Sequence, residues 1–356
     1  MARRVRRPLG PLDLRSQAIL RAVIEEYVTT AQPVGSLSLV ERYGLGVSSA
    51  TVRNILADLE MAGLLSHPHT SAGRVPTDAG YRFYAESITD AFPLPAVEQL
   101  MIRHQFGQVE FASEHWFRLA ATTLAGLTRS AGLATPAKPH AAHIRRIDLV
   151  AVNERMASLI LVLREGAIKQ SAVLTDDDDG IDQGVLNRVA ALLNERLVDV
   201  TASRAAAQVA RLQESDPLER VARRVGERIV RILRDYDAAT IEEVFSDGLL
   251  NVMEAPEFAQ SDKLRRVFTA LENRAYLGEL VASVAGAGQI QIFIGGENGP
   301  LEMRDVSLVL APYGRPGRAI GVVGVLGPTR MSYPQAIGTV RFVSGLMNEL
   351  VDHLYA

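Results

Sequence analysis

This sequence predicts a multidomain α+β fold, and three observations carry the prediction. Residues 33–75 alternate helix, Gly-bearing turn, helix and short hairpin. Three β-like runs within 144–175 and three within 289–326 flank an almost wholly helical block at 215–285. Charge is also divided: residues 1–74 hold nine arginines against six carboxylates, a net of +3, leaving −6 for the remainder of a chain whose total is −3.

The chain opens on MARRVRRPLGPLDLR, and residues 1–12 read as a basic flexible arm. Arg3, Arg4, Arg6 and Arg7 are placed there to meet phosphates, with a solvated tail as the alternative. Asp13 caps a first helix running through Thr30, in which Ile19, Leu20, Val23, Ile24, Tyr27 and Val28 recur at helical spacing. Pro33-Val34-Gly35 breaks it. A second helix starts at Ser36 and stops at Tyr43-Gly44, because glycine takes the left-handed conformation that ends a helix. Ser48 is the N-cap of the third, since its hydroxyl accepts an otherwise unpaired amide hydrogen. Within that third helix Val52, Ile55, Leu56 and Leu59 form one apolar stripe. Ser49, Ala50, Arg53, Asn54 and Ala57 lie opposite, a small hydrogen-bonding surface with one cation. Gly63 ends the helix, Leu64-Leu65 begins a strand, residues 66–74 make a polar tip and Val75 starts the return. The pattern is that of a winged helix-turn-helix, and residues 13–92 are the expected DNA-binding domain.

Such a unit reads base edges. A helix fits the major groove, where Arg bridges guanine and Asn bridges adenine with two hydrogen bonds. The candidate DNA contacts are Ser48, Ser49, Thr51, Arg53 and Asn54 on the reading helix, with His69, Thr70 and Arg74 on the wing. Arg74, ending a Gly-bearing loop, is placed for a phosphate or a minor groove. The alternative is a three-helix core with a solvated polar face. The N-cap, the wing and the basic N-terminus together favour base reading.

The string SSATVRNILADLEMAGLL followed by HPHTSAGRVPTDAGYRFY closely resembles the heat-inducible transcription repressor HrcA family. The resemblance covers the whole N-terminal domain and continues more loosely to the C-terminus. It implies a homodimeric repressor of chaperone and chaperonin operons that binds an inverted-repeat operator on double-stranded DNA. It further implies relief by heat stress through the availability of a chaperonin.

Beyond the wing, Thr77 caps another helix whose Tyr81, Phe83, Tyr84 and Ile88 supply packing, which is favoured over a base-stacking role. Phe92-Pro93-Leu94-Pro95 reads as a domain boundary. Residues 96–133 read as helical with a break near Gly107, and Trp116 sits among apolar neighbours as a core residue. Residues 134–139 read as a loop. An antiparallel meander over 144–152, 157–163 and 167–175 follows. The run Asp176-Asp177-Asp178-Asp179 suits a hard cation in composition, yet it lacks the alternating spacing of a calcium loop. Capping of a helix at 181–198 is the favoured role.

Asp216-Pro217 opens a helix in which Leu218, Val221, Val225, Ile229, Ile232 and Tyr236 recur at three- and four-residue steps. Its arginines (Arg220, Arg223, Arg224, Arg228, Arg231 and Arg234) read as a solvated outer face rather than a second DNA-binding helix. Further helices are expected at 241–253 and 264–281, strands at 289–294, 306–311 and 319–326, and a last helix from Ser332 or Tyr333. The six strands read as one sheet split by an insertion. That arrangement is similar to a GAF-like α/β sandwich, here 96–212 and 286–356, and the family resemblance implies one interrupted by a helical dimerisation insert, here 213–285. Leu218, Val221, Val225, Ile229 and Ile232 are the expected dimer contacts.

Composition bounds the function. The chain has no cysteine, which excludes disulfides and thiolate metal sites. No apolar run approaches a membrane span and none follows the basic start, so the cytoplasm is the expected location. Gly286-Ala287-Gly288 lacks the helix and the Lys-Ser/Thr pair of a phosphate loop, and Gly295-Gly296-Glu297-Asn298-Gly299 reads as a hairpin turn. No G-x-S-x-G or H-E-x-x-H string occurs, and the seven histidines are scattered. Neither catalysis, a cofactor nor a metal is expected. The rival regulator is a small-molecule-sensing winged-helix repressor, which requires a cleft of convergent polar groups in the GAF-like domain.

Overall fold

The computed structural model describes residues 12–68, 73–88, 93–109, 113–139, 141–153, 156–164, 167–174, 182–238, 244–258, 261–315 and 319–354. The chain divides into two compact units, one built from Met1–Pro136, Glu243–Tyr313 and Val322–Met347, the other from Ala137–Glu242, Gly314–Gly321 and Asn348–Ala356.

In chain order the first unit begins with α1 (Leu14–Thr30), α2 (Ser36–Tyr43), α3 (Ser49–Met61), the strands β1 (Leu65–Ser66) and β2 (Val75–Pro76), then α4 (Asp78–Ile88), α5 (Ala96–Gln108), α6 (Ser113–Thr128) and β3 (Ala131–Ala134). The second unit supplies β4 (Lys138–Pro139), β5 (Ile144–Asn153), β6 (Met156–Leu163), β7 (Ile168–Leu174), α7 (Gln183–Leu197), α8 (Ala202–Val209) and α9 (Pro217–Ala238). Then come β8 (Phe245–Asp247), α10 (Leu249–Met253), α11 (Ser261–Glu272), α12 (Arg274–Ala287), β9 (Gln291–Ile294), β10 (Val306–Arg315), β11 (Ala319–Pro328) and α13 (Tyr333–Leu354).

The first helices form for the reasons their residues give. Asp13 Oδ1 accepts from Ser16 N at 2.8 Å, which starts α1, and the Ser16 side chain and backbone together hold the Asp13 carboxyl below its usual range. Ile19, Leu20, Val23 and Ile24 are buried, as are Leu39 of α2 and Val52, Leu56 and Leu59 of α3. Each such side chain removed from water contributes about 1.5–3 kcal/mol, which is what holds these short helices together. Gly44, at φ +56°, ends α2 in the left-handed conformation.

The sheet of the first unit runs β8-β3-β11-β10-β9, all described pairs being antiparallel. β10 and β11 are buried on both faces over most of their length. Gly132 in β3 is a requirement of packing: a Cβ there would lie 2.0 Å from the Ala121 carbonyl oxygen of α6. Between β9 and β10 the Asn298 side-chain amide donates to the carbonyls of Gly295, Met303 and Val306 at 2.9, 3.0 and 2.8 Å, which fixes the connection.

The second unit packs α7, α8 and α9 on one face of the antiparallel sheet β5-β6-β7. Its edge strand is closed by side-chain amides. Asn194 Oδ1 accepts from Ile147 N at 2.9 Å and Asn194 Nδ2 donates to Ile147 O at 2.7 Å. Gln183 treats Ala151 N and Leu149 O in the same way. An edge whose backbone groups are occupied cannot template another strand there.

Several expectations are corrected. The six strands do not form one layer: β5–β7 make their own sheet, because their buried alternation is satisfied by α7–α9 within the same unit. By its contacts Ala137–Glu242 groups with Gly314–Gly321 and Asn348–Ala356, and α10–α12 pack with β3, β10 and β11. Residues 131–133 and 245–247 are in strands where helix was expected, and 134 and 138–139 are in strands where a loop was. The sequence AGLA carries no alternation to read, since all four residues are buried. The four-aspartate run and Phe92 lie outside the described residues. Among the described residues no helix is long and apolar enough to cross a membrane.

Candidate nucleic-acid interface

The surface of interest is the outer side of α3. Ser48 caps it, its hydroxyl accepting from Thr51 N at 3.2 Å and lying 3.0 Å from the Thr51 hydroxyl. Capping leaves the first-turn amides directed outward, the arrangement that suits an anion at a helix N-terminus. With Val52, Leu56 and Leu59 turned into the core, Arg53 and Asn54 are exposed side by side. Neither has a hydrogen-bond or ion-pair partner among the described residues. Ser49 is half-buried at the start of the same face.

Other arginines near it are engaged. Arg21 pairs with Glu25 at 2.7 Å and Arg42 with the buried Glu26 at 2.5 Å. Arg74 Nε lies 2.8 Å from Glu60 Oε2, and His67 Nδ1 meets the other oxygen of the same carboxylate. The Arg74–Glu60 contact is one of charge, without hydrogen-bond alignment at Nε. Arg53 thus stands apart as an exposed cation of α3 facing outward.

The strands beside α3 pair Leu65 with Pro76 and Ser66 with Val75. Backbone hydrogen bonds of 2.8 Å in both directions join Arg74 to Val34, so the return strand is anchored to the segment ahead of α2. Thr77 donates its hydroxyl to Gly63 O at 2.7 Å and accepts from Gly80 N at 3.2 Å, starting α4. Gly80 allows α4 to pass Leu64, whose carbonyl oxygen would lie 2.2 Å from a Cβ. Tyr81 and Tyr84 are buried behind this ribbon, and burial together with the Glu25 carboxylate pushes the Tyr84 hydroxyl up to about 12. They serve as packing groups and offer no stacking face.

The structure thus brings Ser48, Ser49, Thr51, Arg53 and Asn54 onto one end and side of α3, with Arg74 held at the ribbon's root. His69, Thr70, Arg3, Arg4, Arg6 and Arg7 lie outside the described residues. Sequence reasoning missed Glu60, whose position at the end of α3 carries no periodic signal for the Arg74 and His67 side chains it meets.

The residues expected to meet a second copy lie along α9. Val221, Val225 and Ile229 are buried in the core of their own unit, and Leu218 and Ile232 pack against that core. Val221, Val225 and Ile229 are thus committed to the intrachain core, while Leu218 and Ile232 keep part of their surface exposed. The amphipathic stripe of α9 has the expected period, but its partner is β5–β7 with α7 and α8.

Among the described residues no group of three or more His, Asp or Glu side chains converges as a metal site would require. A hollow of about 380 Å³ lies on the second unit, lined by Val152, Met156, Ser158, Gln170 and neighbours on the open face of its sheet.

Comparison with known proteins agrees with the mixed helix-and-sheet build. Residues 114–337 match the family described as HrcA protein C terminal domain. A relative from Herpetosiphon aurantiacus, named heat-inducible transcription repressor HrcA, is 41% identical over 346 residues, covering 97% of this chain and 96% of its own. One of the same name from Roseiflexus castenholzii is 40% identical over 343 residues, covering 96% and 95%. A third from Dehalococcoides mccartyi is 33% identical over 345 residues, covering 97% of each. A solved crystal structure of a hypothetical protein superposes with a TM-score of 0.61 at 22% identity, over 97% of this chain and 100% of that one, a likeness of fold.

Proposed function

The chain belongs to the heat-inducible transcription repressor HrcA family, so it represses transcription in the heat-shock response, and we propose that it does so as a dimer placing two copies of α3 on an inverted-repeat operator. In this reading residues 13–92 are a winged helix-turn-helix, and β1–β2 is the stem of the wing. Repression is steric: the dimer occupies DNA ahead of chaperone and chaperonin operons, and the two-fold of the protein matches the two-fold of the site. Chaperonin modulates it. When unfolded clients occupy the chaperonin, the repressor loses its support and leaves the operator. The setting is the cytoplasm, where the chromosome lies, and no catalytic step is required.

The observation that carries the reading is the pair Arg53 and Asn54, exposed together on α3 while its other side is buried. Two residue types able to make bidentate base contacts stand where a major groove would be read. A GAF-like pocket for a small molecule is the weaker reading, since β10 and β11 are buried on both faces. Gel-shift titration on an inverted repeat from ahead of a chaperone operon, against its scrambled counterpart, tests the proposal. Preference for the repeat, with two chains per DNA by mass, is the expected result. Equal affinity for both at low salt would overturn it. Added chaperonin should raise occupancy, and added unfolded client should lower it.

A further inference from the structure

Behind the reading surface, α4 and α1 are held to the C-terminal sheet of the same unit by two arginine contacts. At one end, Arg82 Nη2 donates to Ile292 O of β9 at 2.5 Å, and Arg82 Nε donates to Glu297 Oε1 at 3.1 Å. Arg82 Nη2 also meets the other Glu297 oxygen, so the pair is two-pronged. The Glu297 carboxylate is itself set by the backbone, accepting from Ile294 N at 2.9 Å. Beside it, Asp78 Oδ2 at the start of α4 accepts from Gly296 N at 3.0 Å. Gly295, at φ +52°, leaves no room for a Cβ, which would lie 2.5 Å from that oxygen.

At the other end, Arg330 Nη1 donates to Val28 O in the last turn of α1 at 3.0 Å, and Arg330 Nε pairs with Glu257 Oε1 at 2.5 Å. Between the two lie Tyr81 of α4 and Tyr333 of α13, both buried, with ring centroids 5.8 Å apart. An apolar ring contact tolerates sliding, whereas the two-pronged Arg82–Glu297 pair fixes direction, and the Arg330–Val28 hydrogen bond, its guanidinium steadied by Glu257, adds a second tether on α1. One such contact would leave the reading domain free to swing. Two, on different helices, do not.

We propose that Arg82 and Arg330 are positioning residues for operator binding, fixing the bearing of α3 on the C-terminal sheet so that the dimer accepts an inverted repeat of one spacing. The inference rests on the repressor reading above and adds the device that selects the distance between half-sites. Arg82 and Arg330 touch no DNA in it. They act through Glu297, Ile292, Glu257 and Val28.

The test compares a full inverted repeat, repeats with spacers altered by one or two base pairs, and a single half-site, using the full chain. The proteins are the wild type, Arg82→Ala, Arg330→Ala, their combination, and the charge exchange Arg82→Glu with Glu297→Arg. With the combination, half-site affinity should stay within about twofold of wild type while full-site affinity falls about tenfold or more, because joint engagement of two sites depends on geometry. Its preference among spacers should flatten, and the charge exchange should recover part of the loss. Parallel losses on half-site and full site would overturn the proposal, as would an unchanged spacer preference. A wild type that prefers no repeat at all would instead sink the repressor reading. A DNA-free measurement stands beside it, made clean by the absence of cysteine. Spin labels on Glu41→Cys and Glu302→Cys, diluted with unlabelled chain, should give one narrow distance distribution in the otherwise wild-type protein, broadened by Arg82→Ala. A broad distribution without the alanine change, or no broadening with it, overturns the proposal even if the double variant fails to fold.

Discussion

Glu60 Oε2 lies 2.8 Å from Arg74 Nε, which ties the return strand of the ribbon to the last turn of α3. Both side chains are about three-quarters buried, with 25% and 24% of their surfaces exposed, so the pair is better shielded than one on an open surface. Replacing Glu60 by Gln should cost about 1 kcal/mol of stability and release Arg74. On DNA the same change should steepen the salt dependence of binding by about one unit, for one added phosphate contact. Thermal unfolding and gel shifts over a salt series measure the two effects.

Arg53→Ala or Asn54→Ala should relax base preference at the pair each contacts, at a cost of about 1–3 kcal/mol. The check is titration on the operator and on a scrambled duplex. A loss confined to the operator marks base reading. An equal loss on both would mean that the side chain serves phosphates.

Deleting residues 1–11 removes Arg3, Arg4, Arg6 and Arg7. Affinity should fall alike on specific and scrambled DNA, and the slope against salt should become shallower by about 0.9 for each phosphate that the arm no longer neutralises. Isothermal titrations at three or more salt concentrations give that slope.

Ile229→Ala should act on stability, because Ile229 is fully buried within the core of the second unit. Removing its outer carbons leaves a cavity, and the expected loss is about 2–5 kcal/mol. Calorimetry reads the loss. Sedimentation of the still-folded protein should show an unchanged mass, since the side chain is fully buried within its own chain.

Alkaline pH supplies a further test. Burial raises the hydroxyls of Tyr81 and Tyr333 above the ordinary phenol value of 10.0, an effect that outweighs the Ser307 hydrogen bond to Tyr333 and the nearby arginines, which act the other way. A raised acid favours folding while it stays protonated. The contribution is therefore complete below pH 10 and declines above it, by about 1.4 kcal/mol per pH unit for each phenol. Unfolding followed by phenolate absorbance should show both groups ionising together with the cooperative transition. Smooth titration of both in the folded state would refute the assignment.

Much of the N-terminal helical segment is legible in one dimension. Asp13, Ser48 and Thr77 are helix-starting residues whose hydroxyl or carboxylate needs an amide two or three positions on, and the structure supplies it within the local turn. Val52, Leu56 and Leu59 are readable because a helix turns a three- and four-residue repeat into one face. β5–β7 are readable from their alternation. Their partners are not: these strands form a sheet of their own, and AGLA at 131–134 takes a place in the sheet that their pattern alone would assign to them.

The sequence by itself determined which side of α3 is apolar and which carries Arg53 and Asn54, because that follows from the periodicity of a helix. It also determined the family, through a string long enough to be specific. Only the tertiary structure decided that α9 spends its apolar stripe on its own unit, that Glu60 holds Arg74, and that Arg82 meets Glu297 across 215 positions of chain. Periodicity states that a face must be covered, whereas the identity of the cover is a matter of long-range packing that no local pattern encodes.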